Sequence, residues 1–210
     1  MGKKKTKRKN VAYSYFNWGP FLMYTQITPE ECKSLIDGGA KSRLNPKNSM
    51  VNKLAGHLKE EYKLEDPQQY VKWMVFYFDA YYQGYNKWCR GGSLKPPFNL
   101  KSLWVNYMKP GDFNPPHDHG ADLSFVIFPY VPEELKKENA EYKGTLQGPG
   151  GISWTYGEGG RQCINAVHQF PKSGDMYIFP ASLRHWVFPF KSNVERISVS
   201  GNLIIDANKK

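Results

Sequence analysis

Hydrophobic positions along this chain change period once. Before about residue 95 they recur at three- and four-residue spacing, and after about residue 101 they fall into short alternating or continuous runs. Residues 11–25 read as an aromatic-rich strand or turn. Thr28-Pro29-Glu30-Glu31 is a helix start: a hydroxyl to cap free amides, proline at the first helical position and acids at the positive end. That helix runs through Cys32, Leu35 and Ile36 and is expected to stop at Gly38-Gly39. A polar loop over 40–50 and a second, polar helix over about 49–63 are predicted next. A third helix begins after Asp66-Pro67, with Tyr70, Trp73, Met74, Phe76, Tyr77, Tyr81 and Tyr82 spaced as on a helix lying against a sheet.

The second half reads as strands and turns. Leu103–Met108 is a strand closed by the turn Lys109-Pro110-Gly111-Asp112, and a further strand spans about 117–130. Residues 131–160 form a long excursion of the kind that often covers a site, with Trp154 and Tyr156 as candidate lid residues. Short strands recur at about 161–169, 175–180, 184–190 and 194–205, with Pro171-Lys172-Ser173-Gly174 as one intervening turn. A run of helices followed by such strands predicts an α+β fold: a double-stranded β-helix, jelly-roll or cupin-like, with N-terminal helices packed on one face.

Composition alters this picture mainly at the N-terminus. Six of the ten net positive charges lie in Met1–Asn10, leaving +4 for the remaining 200 residues. Residues 1–10 are therefore set apart as a basic tail, expected to be disordered for lack of apolar residues. Residues 11–210 form a single domain, helical over about 27–95 and jelly-roll over about 101–205. The tail suits a weak contact with nucleic acid or another polyanion, and Met1-Gly2 with Thr6 also matches a myristoylation pattern. No apolar run approaches the roughly 20 residues of a membrane-spanning helix, and no signal-peptide core follows the basic residues. Cys32, Cys89 and Cys163 are odd in number and far apart, as in reduced thiols of the cytoplasm, or of a host's cytoplasm for a viral chain.

The candidate chemistry centres on Asn114-Pro115-Pro116-His117-Asp118-His119. Side chains two apart on an extended chain leave one face, so His117 and His119 can reach one point. His185 and Arg196 follow on distant predicted strands. Three imidazoles and an arginine suggest a metal site with an anionic co-ligand, although imidazole alone does not distinguish iron from zinc, copper or nickel. His57 and His168 are read as structural.

From about residue 27 to residue 202 the order of motifs resembles the prolyl-hydroxylase-like superfamily of 2-oxoglutarate (2OG) and Fe(II)-dependent oxygenases, and most closely the small oxygenases of phage and bacterial genomes. The likeness rests on the opening helix Ile27–Ile36, on Tyr107-Met108-Lys109-Pro110-Gly111-Asp112-Phe113, on Pro171–Pro180 with its Pro-x-x-Gly-Asp start, and on Arg196-Ile197-Ser198. It implies Fe(II) and 2OG as cofactors, with ascorbate as an auxiliary reductant. It also implies His117 and His185 as iron ligands, and Arg196 paired with the distal carboxylate of 2OG, Ser198 and Tyr107 adding hydroxyl donors. The implied reaction converts 2OG to succinate and CO2 and hydroxylates a substrate C–H bond on a protein side chain, a nucleobase or a small metabolite.

One departure stands out. The superfamily places a carboxylate two residues after the first histidine, and this chain has His119 there. An all-histidine face with His119 is favoured over a carboxylate from Asp118 or Asp122. Two other readings stay open: a three-histidine cupin-type dioxygenase that needs no 2OG, and a non-catalytic jelly-roll module with a nucleic-acid-binding tail.

Overall fold

The computed structural model describes residues 19–89, 97–145, 148–157, 159 and 165–205. The basic tail and Cys163 lie outside these residues, as does most of the expected strand at 11–25. β1 (Met23–Gln26) leads into α1 (Pro29–Arg43), which opens on the expected cap: Thr28 Oγ1 accepts from the Glu31 amide, and the Glu31 carboxylate accepts from the Thr28 amide. Thr28→Ala removes one of these bonds and is expected to cost about 1 kcal/mol, measured as a lowered denaturation midpoint with unchanged slope.

α1 does not stop at Gly38-Gly39. Gly38 faces the Tyr70 ring and Gly39 the Val105 and Tyr107 side chains, at distances a Cβ would violate. These glycines let the helix approach its neighbours rather than end it. The polar helix expected over 49–63 is also absent. A single 3-10 turn (Pro46–Asn48), irregular chain and β2 (Glu61–Lys63) take its place, β2 pairing with the neighbouring strand through a Glu61↔Asn106 register. α2 (Gln68–Trp88) is the expected aromatic helix.

The strands β3 (Phe98–Met108), β4 (Asn114–His117), β5 (Leu123–Tyr130), β6 (Ile152–Thr155), β7 (Ala166–Gln169), β8 (Asp175–Pro180), β9 (Arg184–Val187) and β10 (Arg196–Ile205) complete the domain, with α3 (Glu133–Glu141) between β5 and β6. They form two antiparallel sheets, ordered β1-β8-β5-β10-β3-β2 and β4-β9-β6-β7. The 131–160 excursion is therefore no simple lid. It supplies a helix and a strand of the smaller sheet, and Trp154 is buried in the core, only Tyr156 being exposed.

Strand periodicity sorts the side chains into two layers. Leu103, Val105 and Tyr107 of β3, Ile127 of β5, Met176 and Ile178 of β8, and Ile197 and Val199 of β10 meet Leu35, Tyr70, Met74 and Phe78 of the helices. Met108, Val126, Phe128, Tyr177 and Phe179 face the smaller sheet and meet Trp154, Val187 and Phe190. Both faces of the larger sheet are thus covered, which explains why its strands read as nearly continuous apolar runs.

One turn design occurs twice. In Lys109-Pro110-Gly111-Asp112 and Lys172-Ser173-Gly174-Asp175 the glycine has positive φ, +81° and +92°. In each, the aspartate amide donates to the lysine carbonyl while its carboxylate accepts from the lysine amide. The first turn aims the chain from β3 into β4, and the second sets up β8. Glycine at the third turn position and a side chain closing the loop make both turns readable from sequence.

Candidate metal and co-substrate site

β4 and β9 pair so that His117 and His185 are direct partners across the ladder. β4 ends at His117, so His119 is presented by the turn that follows rather than by one continuous strand. That turn is anchored by three backbone bonds: His119 N–H to Ala181 O, Asp122 N–H to Leu203 O, and Ala181 N–H to Asp122 O. One ring nitrogen from each of His117, His119 and His185 lies within 4.8 Å of the other two.

The donor set suits a divalent transition metal. His117 Nδ1 lies 2.7 Å from Pro115 O, and His185 Nδ1 lies 2.9 Å from Leu183 O. Each is a bond to a carbonyl two residues back, which fixes the Nδ1–H tautomer and leaves the Nε2 lone pair free for an ion. Burial, reinforced by the neighbouring His117, pulls the pKa of His119 down to about 4 and that of His185 down to about 3. Both rings are therefore neutral near pH 7, the form that ligates metal.

The three histidines line a cavity between the two sheets. Its walls include Trp104 and Asn106 of β3, Ser124 and Phe128 of β5, and Ser198 and Ser200 of β10. Arg196 continues the Ser198–Ser200 row of β10 by the two-residue period. Its guanidinium lies 5.1 Å above the ring of Phe128, donates to Gly150 O at 2.6 Å and touches the Met108 sulfur at 2.9 Å. Arg196 is 2% exposed, and its Nε has no hydrogen-bond partner. Burial pulls its pKa down to about 9. Among the described residues no carboxylate pairs with it. A buried guanidinium without a counter-charge is costly, and a carboxylate from a dianionic ligand would supply one. Arg196 and Ser198 thus fit a 2OG carboxylate, as the three imidazoles fit its metal.

The other expected site residues lie elsewhere. Tyr107 is on the opposite face of β3, with its ring 4.2 Å beneath the Arg43 guanidinium and its hydroxyl turned toward Gly39. It packs against α1 and does not add a hydroxyl to the cavity. Asp118 is exposed, and Asp122 is tied to the Ile205 amide at 2.6 Å, so neither supplies the missing carboxylate. His57 stacks on Phe113 with ring centroids 4.6 Å apart, and His168 bonds Ser153, structural roles as expected. Sequence reasoning missed Asn106, Trp104, Ser200 and Glu61 as lining residues. The available signal was Asn106 itself, a lone polar residue inside an apolar strand and out of phase with Tyr107.

Residues 102–202 match the model of the family described as "Putative 2OG-Fe(II) oxygenase". Among solved structures, the chain is similar to the viral collagen prolyl hydroxylase of Paramecium bursaria Chlorella virus-1 in its 2OG complex. That match has a TM-score of 0.56 and 16% identity over 88% of this chain and 96% of the other. A prolyl-4-hydroxylase from Pseudomonas putida gives a TM-score of 0.56 and 15% identity, over 89% and 93% of the two chains. HygX from Streptomyces hygroscopicus, with nickel, 2-oxoglutarate and hygromycin B bound, gives 0.55 and 8%, over 89% and 83%. No curated protein matches the chain. The strand-rich half of this chain thus matches the 2OG-Fe(II) oxygenase family model, and the described fold is similar to that of the two prolyl hydroxylases. Among the described residues no helix is long and apolar enough to cross a membrane.

Proposed function

We propose that this protein is a 2OG-dependent Fe(II) dioxygenase that hydroxylates its substrate. His117, His119 and His185 hold the metal, while Arg196 and Ser198 hold the distal carboxylate of 2OG. One observation carries the assignment: three imidazoles converge in a cavity, and the same β10 row that lines it ends in a buried guanidinium without a counter-charge. The iron and 2OG, when bound, supply the oxidising chemistry. The protein's own residues fix the imidazole tautomers, orient the co-substrate between the sheets and exclude bulk water by the apolar walls of Phe128, Ile152 and Phe179. A guanidinium fork matches a carboxylate better than an ammonium does, and a dioxygenase that did without 2OG would have no use for Arg196. The neutral triad leaves the ion one more net positive charge than a triad with a carboxylate would.

Anaerobic addition of Fe(II) and then 2OG is expected to produce a visible charge-transfer band, and admitting oxygen should produce succinate in proportion to 2OG consumed. No band and no succinate would reject the reading. The cluster of six positive charges in residues 1–10 supports an additional, weak contact with a polyanion. A gel shift on random DNA that is unchanged by deleting residues 1–10 would exclude it.

A further inference from the structure

The cavity contains a second set of unsatisfied groups that the metal and co-substrate do not use. Glu61 of β2 sits opposite Asn106 of β3 in the ladder, and both side chains line the cavity wall. They are 1% and 4% exposed. Asn106 directs its amide nitrogen to the hydroxyls of Ser198 and Ser200, at 3.3 and 3.5 Å, which leaves its oxygen turned away from them. That oxygen and Glu61 Oε2 are both buried without a hydrogen-bond partner. Two buried oxygens on facing ladder residues, both without a hydrogen-bond partner, are uncommon.

The surrounding charges do not relieve Glu61. Arg43 and Lys109 are engaged by Glu60 and Glu195 in a cluster of ion pairs beside Tyr107. Asp112, the acid whose field acts on Glu61, is itself bonded to the Lys109 amide and adds negative potential. Burial first, and then Asp112, push the Glu61 carboxyl up to about 8. Glu61 is the only acid among the described residues lining the cavity. Close packing holds it there: a Cβ on Gly56 would stand 2.1 Å from the Asn114 amide oxygen and 3.2 Å from Glu61 Oε1. Glycine at 56 thus lets the 54–56 chain close over Glu61 and Asn114 without filling the space between them.

We propose that Glu61, with the Asn106 oxygen, forms the substrate subsite of this cavity and receives a cationic nitrogen, an amine or guanidinium, on the group to be oxidised. With its carboxyl pushed up to about 8, Glu61 is mainly protonated near pH 7 in the empty site; a bound cation would draw off that proton, donate to both oxygens and form a neutral pair with the one acid in the wall. Seating it there fixes the substrate beside the three imidazoles. This inference rests on the dioxygenase reading, and its test separates the two.

The test uses the full chain loaded anaerobically with Fe(II) and 2OG. The probes are N-acetyl-lysine amide and its neutral counterpart N-acetyl-norleucine amide, with binding read from the perturbation of the charge-transfer band. The wild type is expected to bind the lysine probe at least about 10-fold more tightly, the size of a charge-assisted bond. Glu61→Gln should abolish that preference while leaving Fe(II) and 2OG affinities within about two-fold. Glu61→Asp, which keeps the carboxyl but withdraws it by a methylene, should reduce the preference and serves if the glutamine variant does not fold. Absence of the band in the wild type would reject the dioxygenase reading itself. A normal band with no preference, with neither probe bound, or with a preference that survives both substitutions overturns the substrate subsite. A loss of 2OG or Fe(II) affinity in Glu61→Gln also overturns it, by assigning the carboxyl to the co-substrate or metal instead.

Discussion

His185→Ala is expected to weaken Fe(II) binding by more than about 100-fold and to abolish succinate formation, because loss of even an outer-shell partner of a metal ligand costs 10–100-fold. His185 is the most enclosed of the three imidazoles, 7% exposed, with its tautomer set by the Leu183 carbonyl. Removing a neutral, buried ring from an apolar wall should leave the protein folded, so metal stoichiometry and circular dichroism together separate ligand loss from unfolding. The more discriminating comparison is His119→Ala against Asp122→Ala. Asp122 binds the Ile205 amide and holds the end of β10, so its loss should lower stability modestly and leave bound iron unchanged. His119→Ala should lose iron. The opposite pattern, iron lost with Asp122 and kept without His119, would remove the all-histidine assignment. His119→Asp would place the superfamily's usual carboxylate at this position, and retention of iron there would show that the turn after β4 tolerates either donor.

Arg196→Met is expected to raise the 2OG concentration needed for half-maximal succinate formation by about 100-fold or more. A charge-assisted bond contributes roughly 1.5–3 kcal/mol, and breaking a buried pair costs roughly 3–5 kcal/mol. The stability of the ligand-free protein should move the other way or not at all. Arg196 pairs with no acid among the described residues, and replacing a buried charge by an apolar side chain of similar volume is often neutral or stabilising. The wild type should therefore gain thermal stability on adding 2OG with metal, as any ligand specific to the folded state requires, and Arg196→Met should lose that gain while keeping its metal-dependent shift. A variant that lost baseline stability and kept its 2OG response would show Arg196 to be a structural residue.

Much of this arrangement was legible in the sequence for local reasons. The cap at Thr28, the aromatic face of α2 and the two glycine–aspartate turns each follow from a few neighbouring residues, and each stands where expected. His117, His119, His185 and Arg196 were legible as a set because their spacing placed them on strand ends that a jelly-roll brings together. Tertiary contacts decided the rest. Gly38 and Gly39 look like a helix stop until Tyr70 and Tyr107 are packed against them. Residues 49–63 read as a polar helix, but Leu58 is drawn into the core and Glu61 and Tyr62 pair with β3 at the sheet edge instead. Tyr107 failed by one step of strand parity: Ile197 is its partner in the ladder and faces the helices, whereas Asn106 is the partner of Ser198 and faces the cavity. Glu61 was out of reach altogether, because nothing local tells that β2 pairs with β3.

The placement of the site's two halves has a mechanical consequence. The three converging imidazoles come from β4, its following turn and β9, while Arg196 belongs to the facing sheet. On the proposed assignment, 2OG would therefore be held by both layers at once, its metal end by the smaller sheet and its distal carboxylate by the larger. Oxaloacetate, one carbon shorter than 2OG, is therefore expected to tie the layers together less well and to raise the thermal stability of the metal-loaded protein less than 2OG does.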